Sequence, residues 1–121
     1  MQTPNAIIAL GDRDLAHSLR GSLQQHFQFI VVAASFDEAR AAIPRYRPLV
    51  LIVDVELAPL SEIERLRREY SGMNVVCTHR LADDDLWTDA VNAGASDVCR
   101  SSDLAGIVRA ALGGHSARAA A

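Results

Sequence analysis

The chain has little of what marks a secreted, membrane-spanning or nucleic-acid-binding protein. Its 121 residues include only two cysteines, Cys77 and Cys99, in neither a zinc spacing nor a redox CxxC. That excludes a disulfide-stapled framework; two buried, reduced thiols in a cytoplasmic protein are expected. No apolar run is long enough to span a bilayer, and no secretory hydrophobic segment stands near the N-terminus. A net charge of -3 argues against direct nucleic-acid binding or docking on an anionic membrane. No GxGxxG or GxxxxGKS/T phosphate loop is present, nor a Ser/His/Asp or Cys/His arrangement at strand ends. An unrelated enzyme built on an α/β sheet is therefore disfavoured, although a fold alone does not fix a function.

What is present is an alternation of two hydrophobic patterns. Short apolar runs occur at 6–10 (AIIAL), 29–34 (FIVVAA), 49–53 (LVLIV), 74–78 (NVVCT) and 97–99 (DVC). Between them lie helical spacings: Leu15, Leu19, Leu23 and Phe27; then Phe36, Ala39 and Ile43; then Ile63, Leu66 and Tyr70. Two more follow: Leu86, Trp87, Ala90 and Val91; then Leu104, Ile107, Val108 and Ala111. Ser35 with Glu38, and Ser61 with Glu64, have the capping-box spacing. Asp83 to Asp85 suit a helix start, Gly94 a helix end, and Pro44 and Pro48 should stop the second helix. Strands alternating with helices predict a doubly wound parallel sheet, its strands covered on both faces. The domain is expected over 1–113, with 114–121 a flexible tail or the start of a linker.

Asp54 ends the most hydrophobic of the runs. A charged carboxylate is costly to bury unpaired, so it is expected at the mouth of the sheet rather than inside it. Sites in open α/β sheets form at the carboxyl ends of strands. Asp12, Asp54 and Thr78 all fall there, and they meet if their strands are neighbours. Two carboxylates and a carbonyl suit a hard cation such as magnesium, and a carboxylate can attack phosphorus. The same two aspartates would equally serve as caps of turns.

The segments RPLVLIVDVEL, VVCTH and NAGASDV, in that order, resemble the receiver domain of bacterial two-component response regulators, over about residues 5–113. The resemblance implies a flavodoxin-like sheet of order 2-1-3-4-5. It makes Asp54 the phosphoacceptor and Thr78 the hydroxyl that contacts the phosphoryl group. It implies a weakly held Mg2+ on Asp12, Asp54 and the backbone carbonyl of Glu56. The implied partners are a histidine kinase or phosphotransfer protein and an output domain or partner protein; a homodimer through the last helices is a further option. The chain departs from the family pattern at Gly11, where an acid is usual, at His79, where a small residue is usual, and at Val98, where an aromatic is usual. Ser101 and Ser102 replace a Lys-Pro pair, and Pro59 lies one residue later than the usual proline. Arg100 is adjacent to Ser101, but in a strand its side chain should point to the other face, so it could stand in for the lysine only if the loop starts early. His79, bulkier than the usual residue, could narrow the approach to Asp54. The implied function is a signal-transduction receiver rather than a metabolic enzyme. The alternative is a degenerate pseudo-receiver, a phosphorylation-independent interaction or dimerisation module.

Overall fold

The computed structural model describes residues 4–81 and 83–120, the stretch 113–120 as backbone alone. Five strands and five helices alternate: β1 (Ala6–Ala9), α1 (Arg13–Leu23), β2 (Ile30–Ala33), α2 (Phe36–Tyr46), β3 (Val50–Asp54), α3 (Leu60–Glu69), β4 (Asn74–His79), α4 (Asp84–Asn92), β5 (Asp97–Arg100) and α5 (Leu104–Ala120). The bounds of α5 take in most of the segment 114–121 read as a tail, whose side chains lie outside the described residues. The strands form one parallel sheet in the order β2-β1-β3-β4-β5. Both the alternation and the strand order agree with the expected doubly wound sheet.

The period of two in each strand divides the core. Leu51, Val53, Val75 and Cys77 pack under α2, α3 and α4. Val50, Ile52, Val76 and Cys99 pack under α1 and α5. All four residues from Val50 to Val53 are fully buried, as expected for a central strand covered on both sides.

Several local expectations hold. Ser35 Oγ accepts from the Glu38 amide, and Glu38 reaches back to the Ala34 amide. Asp83 caps α4 by accepting from Leu86 N. Gly94 follows α4 with φ +107°, where a side chain would strike Arg67.

Others need correction. The second helix runs through Pro44 to Tyr46 and stops at Arg47, which adopts a left-handed conformation and donates its amide to Ile43 O. Proline in the last turn removes one hydrogen bond with little helix left to disrupt, so the left-handed residue makes the stop. Ser61 is not a cap: α3 starts a residue earlier, and the amides of Glu62 and Ile63 donate to Pro59 O. Trp87 is half-exposed, because α4 buries its face through Ala90.

Candidate functional site

Asp54 is the last residue of β3 rather than a residue beyond it, and it is only 8% exposed. The carboxylate stands at the mouth as expected, bordering a cleft at the strand ends, though little of it is exposed; it is paired in register with Thr78 of β4. The partial burial is offset locally, since Asp54 Oδ1 accepts the Glu56 amide at 2.9 Å. On the other side, a β-carbon at Gly11 would lie 3.8 Å from Asp54 Oδ2. Residue 11 therefore faces the carboxylate, with open space where an acid would stand.

Thr78 is fully buried. Among the described residues, its Oγ1 is the buried side-chain polar atom with no hydrogen-bond partner. Leaving such a group unsatisfied costs about 1–3 kcal/mol. Its strand neighbours in register are Asp54 and Cys99, and the three share the α1/α5 face by the alternation of their strands.

Asp12 does two things. It caps α1, its Oδ1 accepting from Leu15 N at 3.1 Å, and it borders a cleft of about 550 Å³ with Gly11 and Asp54. Glu56 and Arg80 form one wall of that cleft, Ser101 and Ser102 another. Asp12, Asp54 and Glu56 are thus brought to one place, with Thr78 behind Asp54. Among the described residues no three side chains of His, Cys, Asp and Glu converge as a metal cluster. With Gly11 in place of an acid, only two aspartates are offered at the strand ends.

Neither Arg100 nor His79 lines the cleft. Arg100 is exposed on β5, where its neighbour Cys99 packs under α1 and α5, so Arg100 points to the opposite face. His79 Nδ1 accepts from Leu81 N, and its Nε2 lies 3.9 Å from Glu56. The cation at the cleft is Arg80, whose Nε donates to Glu56 Oε1 at 2.9 Å. Glu56, by this hydrogen bond first, then by its charge, and lastly Asp54, hold the guanidinium more firmly charged. The sequence reading missed Arg80. It lies in the turn just beyond β4, where strand periodicity gives no signal.

No family model matches the chain, and no curated protein does. Solved structures do. A response regulator from Thermotoga maritima is 24% identical with a TM-score of 0.77, the match covering 91% of this chain and 98% of that one. The chain has the fold of a response-regulator receiver domain. A signal receiver domain from Colwellia psychrerythraea matches at 18% identity and TM-score 0.72, covering 87% of this chain and 98% of that one. A third match is a response regulator from Burkholderia pseudomallei solved with a phosphorylated aspartic acid, a calcium ion and citrate. It is 19% identical with TM-score 0.78, over 96% of this chain and 71% of that one. No helix among the described residues is long and apolar enough to cross a membrane.

Proposed function

We propose that the chain is a cytoplasmic signal receiver in a two-component phosphorelay, taking a phosphoryl group onto Asp54 from a histidine kinase or phosphotransfer protein. The observation that carries this reading is a nearly buried carboxylate beside a buried hydroxyl with no hydrogen-bond partner among the described residues. A phosphoryl oxygen on Asp54 is an acceptor that would satisfy Thr78 and offset the cost of burying it. Asp54 Oδ2 is the attacking atom, because Oδ1 is engaged by the Glu56 amide and Oδ2 faces the open side at Gly11. It forms a bond to phosphorus while the bond to the donor histidine nitrogen breaks, and that electron pair returns to the imidazole. Water later attacks the same phosphorus, releasing inorganic phosphate and restoring the carboxylate. This is a slow self-modification, not turnover of a metabolite. Regulation of an output partner or of dimerisation runs through the last helices, with no direct contact to nucleic acid or membrane.

The donors here fit a hard divalent cation weakly. Asp12, Asp54 and the carbonyl of Glu56 would hold Mg2+, with water completing the shell. When bound, the ion supplies neutralisation of charge on the transferring oxygens. With Gly11 contributing no carboxylate, the affinity is expected on the order of millimolar or weaker. Amide shifts under Mg2+ titration check it, and they should vanish in the double variant Asp12→Ala, Asp54→Ala.

Acetyl phosphate with Mg2+, followed by intact mass, tests the phosphoacceptor. One phosphoryl adduct is expected on the native chain and none on Asp54→Asn. No adduct on the native chain would overturn this reading in favour of the phosphorylation-independent interaction module, which Gly11, Val98 and Ser101 favour.

A further inference from the structure

The chain contains no lysine: apart from four histidines, its basic residues are 12 arginines. Any side chain that permanently neutralises an anion on Asp54 is therefore an arginine. Arg100 leaves the sheet on the wrong face, and Ser101, at the position where a cation is missing, carries no charge. Arg80 borders the cleft together with Asp54.

Two hydrogen bonds tie it there. Glu56 N donates to Asp54 Oδ1, and Arg80 Nε donates to Glu56 Oε1, each at 2.9 Å. One residue thus fixes both the carboxylate and the guanidinium. Arg80 Nη1 and Nη2 make no hydrogen bond among the described residues. A guanidinium anchored through Nε presents the other two nitrogens as a fork, which matches two oxygens of a phosphoryl-like anion.

We propose that Arg80, held by Glu56, is the positioning cation of the Asp54 site and neutralises an anion there in place of the missing ammonium. The identity of the anion rests on the phosphoacceptor reading; the presence of a positive charge at the cleft does not. Its side chain is 76% exposed, so its field is screened by water and salt and its effects are several-fold rather than absolute.

An arginine acting by charge has opposite effects on a cation and an anion at the same place. A merely structural arginine does not. The experiment compares the native chain, Arg80→Ala, Arg80→Lys and Asp54→Asn at low ionic strength. Amide shifts follow Mg2+ alone, then beryllofluoride at saturating Mg2+. In Arg80→Ala, Mg2+ should bind about threefold more tightly and beryllofluoride about tenfold more weakly, the scale of one screened charge. Arg80→Lys should keep most of both native values, and Asp54→Asn should abolish the beryllofluoride response. Weakening of both ligands in Arg80→Ala, or no difference in the Mg2+ response, including no response in either protein, overturns the proposal. Tighter Mg2+ in Arg80→Ala with no beryllofluoride binding to the native chain would uphold Arg80 as the cation and remove the phosphoacceptor reading instead.

Discussion

The two sides of the cleft differ in kind. β1, β3 and β4 bring Asp12, Asp54 and Thr78, and these strands are buried almost completely. β5 is an edge strand, half-buried at Asp97 and Val98, and it leads to Ser101 and Ser102. The acceptor side has what covalent chemistry needs, a carboxylate fixed by packing on both faces. On the proposed phosphoacceptor reading, the β5 side offers Ser101 and Val98 where an ammonium to grip a phosphoryl group and an aromatic to report it would be needed. A carboxylate that is to be held rigidly and a side chain that is to move make opposite demands on packing, and the buried central strand and the half-buried edge strand meet one demand each.

The largest effect expected from this contrast is on stability. Ile52 is fully buried on β3, in register between Ile8 and Val76. Ile52→Ala should cost about 2–5 kcal/mol, from lost transfer energy plus the cavity left under α1 and α5. Val98→Ala on the edge strand removes a half-buried side chain and should cost roughly 1 kcal/mol. Urea unfolding of both variants measures the difference. Equal losses would break the distinction between a rigid acceptor side and a loose reporter side.

The cysteines sharpen it at the level of single atoms. Cys77 on β4 packs under α2, α3 and α4, and Cys99 on β5 packs under α1 and α5. Opposite faces keep the thiols from pairing. Burial, then the charge of Asp54 and then Cys99, pushes the Cys77 thiol up to about 12. Burial, then Asp97 and then Asp103, raises Cys99 to about 11. A thiol-specific reagent at about pH 8 should label Cys99 before Cys77, both far more slowly than in the unfolded chain, where two thiols count. Both folded values exceed the unfolded value of 9.0, so the folded state holds these protons longer. Their contribution to stability is complete below pH 9 and is lost as pH rises toward 11 for Cys99 and 12 for Cys77. Cys77→Ala should flatten that alkaline loss. Faster labelling of Cys77 would place the looser packing on β4 instead.

Much of this was legible in the residues. Unbroken runs such as Leu49–Val53 and the fourfold spacing of Leu15, Leu19 and Leu23 gave the alternation of elements, because burial dictates both periods. The strand order came from the resemblance, since periodicity does not say which strands are neighbours. Helix ends were less readable: Pro44 is tolerated in the last turn while left-handed Arg47 makes the stop, and α3 starts from Pro59 as N-cap, ahead of the capping pattern at Ser61. In the site, Asp12, Asp54 and Thr78 were readable because strand ends are defined by the apolar runs that precede them. Arg80 was not, because it lies beyond the run in a turn, and its role emerges only through Glu56, 24 residues away.

A smaller effect tests whether the acceptor side is complete but for one group. Gly11 is not among the residues with positive φ, so a side chain there is unstrained, and its β-carbon would make an ordinary contact with Asp54 Oδ2. Gly11→Asp should tighten Mg2+ binding by about tenfold, the scale of one added carboxylate ligand. Titration followed by amide shifts or calorimetry reads it. An unchanged constant would mean that residue 11 does not address the ion, and that the weakness of the site has another origin.

The smallest effect is expected on switching. A bound group shifts an equilibrium only by its differential affinity for the two states. In this chain Thr78 can be drawn toward a group on Asp54, but its other register neighbour is Cys99, a small buried side chain on the same face. Val98 packs against the core under α2, α3 and α4, on the face away from Thr78. Valine turns about one stiff bond and presents no long group to swing into a vacated space. Ser101 brings no charge to pull β5 toward the site. The differential should therefore stay below about 1.4 kcal/mol, a factor of about ten. Light scattering or sedimentation with and without beryllofluoride, using Asp54→Asn as control, gives the monomer–dimer constant. A change within tenfold fits a surface on the last helices that is presented whether or not Asp54 is modified. A larger change that needs an intact Asp54 would show that the two sides of the cleft are coupled after all. Repeating it in Arg80→Ala then decides the route: if the change disappears, the coupling runs through the guanidinium on the β4 side and not through β5.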